Sequence, residues 1–242
     1  MIESYQGQTT SISFFTYPWR NSLWGMRQMR DAYRKFEGMP GLQFMKMLGS
    51  GGGDGFSLWP NFRQYGMLTV WDDAAQAVAF SQSNLTGFYQ RAKTSYTIIM
   101  QPVKVHGEWS GNCPFSPEDS RATDDQPLAV ITRASIKPSK ALTYWWQVPG
   151  ASQSLTQHPD HLFAVGIGEI PLLEQATFSI WRSGAAMKEF AYTNKAHSKV
   201  IRQTRELQWY KEEMFARFAI LATYGLPEGH QLRQLKLPHY SL

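Results

Sequence analysis

Met67-Leu68-Thr69-Val70-Trp71 returns later in the chain as Thr177-Phe178-Ser179-Ile180-Trp181. Both runs alternate as half-buried strands do, and both lead straight into a helical pattern. That pattern opens Ala74-Ala75-Gln76-Ala77-Val78-Ala79-Phe80 in the first copy and Ala185-Ala186-Met187-Lys188-Glu189-Phe190 in the second. Trp71 and Trp181 lie 110 positions apart, and so do Phe80 and Phe190, so no gap separates the anchors. A repeat of this length is a duplicated half-domain, not a solenoid unit. Two similar halves packed together leave a cavity at or near the sheet surfaces as the natural place for a ligand.

Outward from those anchors, each half reads β-α-β-β-α-β. In the first, Ser11 to Tyr17 is a strand and Pro18 stops it. Asn21, a good N-cap, opens a helix to Phe36. Leu42 to Leu48 and Tyr65 to Trp71 are strands, Asp73 to Arg91 a helix, and Tyr96 to His106 an extended piece. In the second, Leu128 to Ile136 is a strand, and Pro138-Ser139 opens a helix to about Trp146. Leu162 to Gly166 and Glu174 to Trp181 form a hairpin, and Ala185 to Glu206 is helical. A further helix is read over Trp209 to Phe218, and the tail beyond is read as loosely ordered. The expected fold is α+β: two tandem ferredoxin-like halves whose sheets face each other as in a dimeric α+β barrel. The halves cover 1–115 and 127–242, and 116–126, rich in Pro, Ser and Asp, links them.

Composition narrows the function. Hydrophobic content of 43% and charge of 18% describe a folded protein. The chain holds Trp 9, Tyr 11 and Phe 14, enough to line an aromatic pocket or simply to fill two cores. The net charge is +5 with no basic run, which argues against nucleic acid. It leaves open weak contact with anionic lipid. Cys113 is the single cysteine, so an internal disulfide and a multi-cysteine metal site are excluded. No stretch reaches the length of a membrane span. A cytoplasmic protein, in part peripheral to a membrane, is the expectation.

Gly49-Ser50-Gly51-Gly52-Gly53-Asp54-Gly55 invites a phosphate-loop reading. It lacks the Gly-Lys-Ser/Thr ending, and Phe56-Ser57-Leu58-Trp59-Pro60 does not start a helix. A mobile hairpin connection, long enough to cover a pocket entrance, is the better reading. Of the histidines, His158 and His161 flank Pro159 and read as exposed. His197 falls on a helix face with Phe190, Val200, Ile201 and Thr204 at helical spacing. It is either a satisfied core histidine or a metal or haem ligand. Arg202 and Arg205 follow on flanking faces and suit carboxylates such as haem propionates, or are solvated. His106-Gly107-Glu108-Trp109 closes the first half; His106 is an ordinary strand-end residue, an acid–base group or an axial ligand. Cys113 lies outside any cysteine-ligand loop of the cytochrome P450 kind. No Ser-His-Asp or paired-carboxylate spacing supports a hydrolase.

Several long motifs resemble the spheroidene monooxygenase family. They include Gln43-Phe44-Met45-Lys46-Met47-Leu48-Gly49 and Val105-His106-Gly107-Glu108-Trp109-Ser110-Gly111. The strongest is Gly166-Ile167-Gly168-Glu169-Ile170-Pro171-Leu172-Leu173, continued by Gln175 to Trp181. His197, Arg202, Arg205, Trp209 and Ala216-Arg217-Phe218 follow in order, and the resemblance covers about residues 11 to 224. It implies a haem b monooxygenase that oxygenates a long apolar polyene such as a carotenoid, with electrons from an external donor, which could be a protein. It also implies His197 as the iron ligand, Arg202 and Arg205 beside the propionates, and His106, Glu108 and Trp109 as catalytic or pocket groups. Another haem enzyme on the same scaffold, dehydratase or peroxidase-like, and a non-catalytic haem or lipid carrier are the rival readings. The oligomeric state stays open.

Overall fold

The computed structural model describes residues 2, 5–52, 59–117, 124–146, 155, 157–193, 207 and 209–241. Nine strands lie among the described residues: β1 (Thr9–Thr16), β2 (Leu42–Gly51), β3 (Pro60–Trp71), β4 (Thr94–Gly107), β5 (Leu128–Ile136), β6 (His161–Ile170), β7 (Glu174–Trp181), β8 (Tyr210–Tyr224) and β9 (His239–Tyr240). Their order is β4-β1-β3-β2-β6-β7-β5-β8-β9, and β4 also pairs with β8. The first eight strands therefore close into an antiparallel barrel, which leaves no free edge among them. The fold is α+β. The first four strands take ring order β4-β1-β3-β2 and the next four β8-β5-β7-β6, the same order within each set.

Alternation sends one residue of each pair into the lumen and the next outward. Ile12, Phe14, Leu68, Ile98, Ile131, Phe178, Ala216 and Phe218 fill the lumen, which is a packed core rather than a channel. On the outside of the first half, Phe15, Tyr17, Met47, Met67, Trp71 and Ile99 lie beneath α1 (Trp19–Phe36), α2 (Ala74–Ala79) and α3 (Thr86–Tyr89). Outside the second, Leu128, Val130 and Trp181 meet Met187 and Phe190 of α4 (Gly184–Thr193).

The repeated Trp anchors end β3 and β7 and make the same contacts. The Trp71 indole N–H donates to Thr69 Oγ1 at 2.9 Å, and that of Trp181 to Ser179 Oγ at 3.2 Å. Trp71 meets Phe80 at 4.8 Å and 43°, and Trp181 meets Phe190 at 5.1 Å and 41°.

Several expectations are corrected. Trp209 to Phe218 is not a helix: β8 runs through it, with Met214, Ala216, Phe218 and Ala222 buried at period two. The Lys211-Glu212-Glu213 charges imitate a helix face, but the alternation beyond them decides. Helix α1 starts at Trp19 with extended Pro18 as its cap, while Asn21 lies inside the helix and donates to the Arg91 carbonyl. The helix read from Asp73 to Arg91 breaks into α2, a π-turn over Phe80–Asn84 and α3. Gly49 to Gly51 belong to β2, and residues 53–58 of the glycine-rich segment lie outside the described residues. His158 and His161 are half-buried against Trp181, at 5.4 and 5.3 Å between rings. The tail is not loose, because Leu226, Leu232 and Leu235 join the lumen core and β9 pairs with β8. Most of the 116–126 link lies outside the described residues.

Candidate active site

The outer face of the second half differs from its counterpart in side-chain size. Strand register runs Gly166–Thr177–Thr132–Phe215–His106 across β6, β7, β5, β8 and β4. The next row is Ala164–Ser179–Val130–Arg217–Lys104. The same rows of the first half read Met47–Met67–Ser13–Thr97 and Met45–Thr69–Ser11–Ile99. Gly166 and Thr177 thus stand where the first half has two methionines. The first half's hydroxyls pair with one another, Ser11 with Thr69 at 2.6 Å and Ser13 with Thr97 at 2.7 Å. In the second half, Thr177 Oγ1 and Arg217 Nε are buried with no hydrogen-bond partner among the described residues. The β6–β7 part of this face, with its small side chains and the unmet polar atoms of Thr177 and Arg217 beside it, is suited to a flat group carrying its own acceptors. His106 ends the first of these rows and is exposed.

One mouth of the lumen carries charge. Arg133, 4% exposed, reaches Glu174 and Glu212 through its two terminal nitrogens and lies 3.7 Å from Glu169. Lys46 Nζ donates to Glu169 Oε2 at 2.6 Å and to Ser110 Oγ at 2.9 Å. Trp109 caps the cluster: it is 1% exposed, its indole N–H donates to Glu169 Oε1 at 2.7 Å, and Arg133 lies over its ring at 5.3 Å. The Ser110 and Gly111 N–H groups donate to the Glu212 carboxylate at 2.8 and 2.7 Å. Burial pushes the Glu212 carboxyl up, but these N–H donors and Arg133 outweigh it and hold it below its ordinary value.

At the seam where β2 meets β6, a cavity of about 260 Å³ lies between α1 and two hairpins. Met26 and Met29 form one wall, Pro60 to Phe62 a second, and Pro171 and Leu172 a third. Glu169 is its one charged lining residue among the described residues.

The structure does not bring the sequence-derived catalytic residues together. Trp109 points into the lumen mouth, while His106 and Glu108 are exposed. His197, Arg202 and Arg205 lie outside the described residues. Cys113 is exposed. Among the described residues no group of His, Cys, Asp or Glu could hold a metal ion by itself. The Arg133 cluster was missed, though it left a signal: Arg133 interrupts the inward set Ala129, Ile131, Arg133, Ser135 of an apolar strand.

An eight-stranded α+β barrel of this kind is shared with known enzymes. Two aldoxime dehydratase structures superpose with a TM-score of 0.58 each. One, bound to butyraldoxime, is 8% identical and covers 88% of this chain and 79% of its own. The other is 10% identical, covering 91% and 83%. That likeness is one of fold. No family model matches the chain. Curated relatives are far nearer in sequence. Spheroidene monooxygenase of Rhodobacter capsulatus is 38% identical over 219 residues, 89% of this chain and 91% of the relative. Those of Cereibacter sphaeroides and Rubrivivax gelatinosus are 37% and 36% identical, over 92% and 86% of this chain and 69% and 80% of the relatives. The chain belongs to the spheroidene monooxygenase family, and with it to the oxidoreductases.

Proposed function

We propose that the protein is a haem-dependent monooxygenase that oxygenates a long apolar polyene of the carotenoid kind. The substrate class follows from the relatives' name. The cofactor reading is carried by one observation: on β6 and β7 the outer face of the second half has Gly166, Ala164 and Thr177 where the first has Met47, Met45 and Met67, while Phe215 and Arg217 on β8 replace the smaller Thr97 and Ile99. Thr177 and Arg217 leave polar atoms unmet there, which fits a flat group with carboxylates. His197 follows α4, the helix covering that half, and is the proposed iron ligand, with Arg202 and Arg205 beside the propionates. When bound, haem supplies reductive activation of dioxygen, the electrons coming from an external donor.

The chain's own residues do the rest. His106 lies two strands from Thr132 in the same row, where an exposed imidazole can hand a proton to the site. Arg217, stacked on Phe215 at 5.2 Å, presents a guanidinium to an acidic group. Trp109 and Glu169 position the mouth loop rather than touch the reacting atoms. We read the two halves, 1–115 and 127–242, as tandem ferredoxin-like units. The matching ring order and the matching Trp–Phe pairs support that reading.

The test is an absorption spectrum of protein purified from haem-replete cells. A Soret band is expected, lost in His197→Ala and kept in His106→Ala, which should lose turnover instead. Haem retained by His197→Ala and lost from His106→Ala would place the iron in the first half. No Soret band in the wild type would end the haem reading.

A further inference from the structure

The seam cavity opens among an unusual number of exposed large apolar side chains. On α1, Trp19, Leu23 and Met26 follow helical spacing and are 71, 66 and 47% exposed. Met26 also lines the cavity, so this stripe borders its mouth. Phe62, 55% exposed, faces it from the β2–β3 hairpin, and Leu172, 42% exposed, from the β6–β7 hairpin. The patch extends further, because the Trp145 indole N–H donates to the Leu172 carbonyl at 2.9 Å and so ties the 141–146 helix to the same rim. That helix exposes Leu142 and Trp146, one turn apart, at 90 and 89%.

Charge follows the same surface. Arg20, Arg27, Arg30 and Arg34 are exposed on α1 beside the apolar stripe. Asp31, on Arg30 at 2.9 Å, is the helix's only acid. Arg63 stands 5.5 Å over the Trp19 ring, and Lys137 and Lys140 precede the 141–146 helix. The solvent face of α1 thus sets Trp19, Leu23 and Met26 among Arg20, Arg27, Arg30 and Arg34, a mixture suited to lying against an anionic bilayer interface. The arginine stems can extend along apolar surface while their heads meet phosphate. Exposed aromatic side chains on three separate elements, Trp19, Phe62 and Trp146, set among cations, match an anionic lipid surface, which offers both acyl chains and phosphates.

We propose that this face docks on an anionic phospholipid bilayer, with the seam cavity opening at the level of the acyl chains. The docking surface stands on geometry and charge alone. That the cavity then admits the substrate directly from the bilayer rests on the carotenoid reading above.

Flotation with vesicles tests it, using phosphatidylcholine alone and mixed with phosphatidylglycerol. The protein should float with the mixed vesicles, about tenfold more strongly than with the neutral ones, and lose this at high salt. Brominated acyl chains should quench part of the tryptophan emission. Leu23→Gln with Trp146→Gln should abolish flotation while thermal melting is unchanged, since both side chains are exposed. Arg27→Gln with Arg34→Gln should remove the preference for anionic lipid. Failure of the wild type to float, or undiminished flotation of the Leu23/Trp146 variant, overturns the proposal. So does a dimer in sedimentation that Leu23→Gln splits while vesicles go unbound. Haem content is read separately, so a missing Soret band would sink the function and leave the flotation result standing.

Discussion

Phe14 and Arg133 hold the same place in the two halves. Phe14 pairs with Gly66 and Tyr96, and Arg133 pairs with Ala176 and Met214, at matching positions of the two strand sets. Because the halves meet head to tail, the two residues face opposite mouths of one lumen. Around Phe14 the mouth is aromatic, with Tyr96, Phe163 and Phe178 at 5.4 to 6.1 Å. Around Arg133 it is ionic, with Glu169, Glu174 and Glu212. The duplicated strands supply one frame, and the side chains at equivalent points have taken different chemistry. Apolar packing is tolerant of small shifts, whereas a buried guanidinium needs its carboxylates in place.

Arg133→Ala tests that difference most sharply. It takes the guanidinium from Glu174 and Glu212, while Glu169 keeps Lys46 and the Trp109 indole, and a loss of about 3–5 kcal/mol is expected in denaturant unfolding. Glu212 adds a pH signature. Its folded pKa is lowered, so its stabilising contribution is complete above its ordinary value of 4.5 and is lost as pH falls through the lower folded value. Arg133→Ala should shrink that acid-side loss along with the total. A cost below about 1 kcal/mol would mean the ionic mouth behaves as surface, and the contrast with Phe14 would collapse.

The outer faces give the second comparison. Met47 and Met67 are each 1% exposed and fill the space beneath the first half's helices. Met47→Ala should cost about 2–5 kcal/mol through its cavity and leave haem binding alone. The converse, Thr177→Met, gives the second half the first half's residue. It should abolish haem retention at a cost to the fold of about 1–3 kcal/mol at most. Haem bound normally by Thr177→Met, read as an unchanged Soret band per protein, would show that the small residues serve packing instead.

How much of this was legible beforehand depended on local pattern. The Trp71/Trp181 anchors carried the duplication because an indole with its hydroxyl partner two residues back is a local motif, repeated intact. The β5 bounds read from Leu128 to Ile136 are those observed, since apolar alternation there is uninterrupted until Arg133. By contrast, β8 reads as a helix because Lys211, Glu212 and Glu213 mask the alternation at its start. The ionic mouth was invisible because Lys46, Arg133, Glu169 and Glu212 come from four strands and meet only when the ring closes. That β6 and β7 are depleted of bulk on their outer face could be read only after register aligned Gly166 with Met47. The tail reads as loose because its Pro and polar residues hide three leucines that find the lumen only through tertiary contact.

That tail supplies the smallest effect and the last comparison, between the two seals of the lumen. The ionic mouth is closed by the Trp109 loop, and the aromatic mouth by residues after β8. There the His230 ring lies tilted against Tyr96 at 5.1 Å and Phe163 at 5.7 Å, and its Nδ1 accepts the Leu232 N–H at 3.2 Å. An Nδ1 that accepts must be unprotonated, so this turn needs neutral imidazole. Burial first, and then the nearby Arg233, lower the His230 pKa from 6.5. The sign is therefore that of a depressed group: the contribution is complete above 6.5 and lost as pH falls through the folded value. The imidazole is half-buried, so solvent screens it and the effect should be modest. Melting temperature should decline as pH drops below about 6.5, and His230→Gln should flatten that decline. The Glu212-dependent loss at the other mouth, further to the acid side, should remain in that variant. If His230→Gln instead leaves the profile above pH 5 unchanged, the tail closes the aromatic mouth through Leu232 and Leu235 alone.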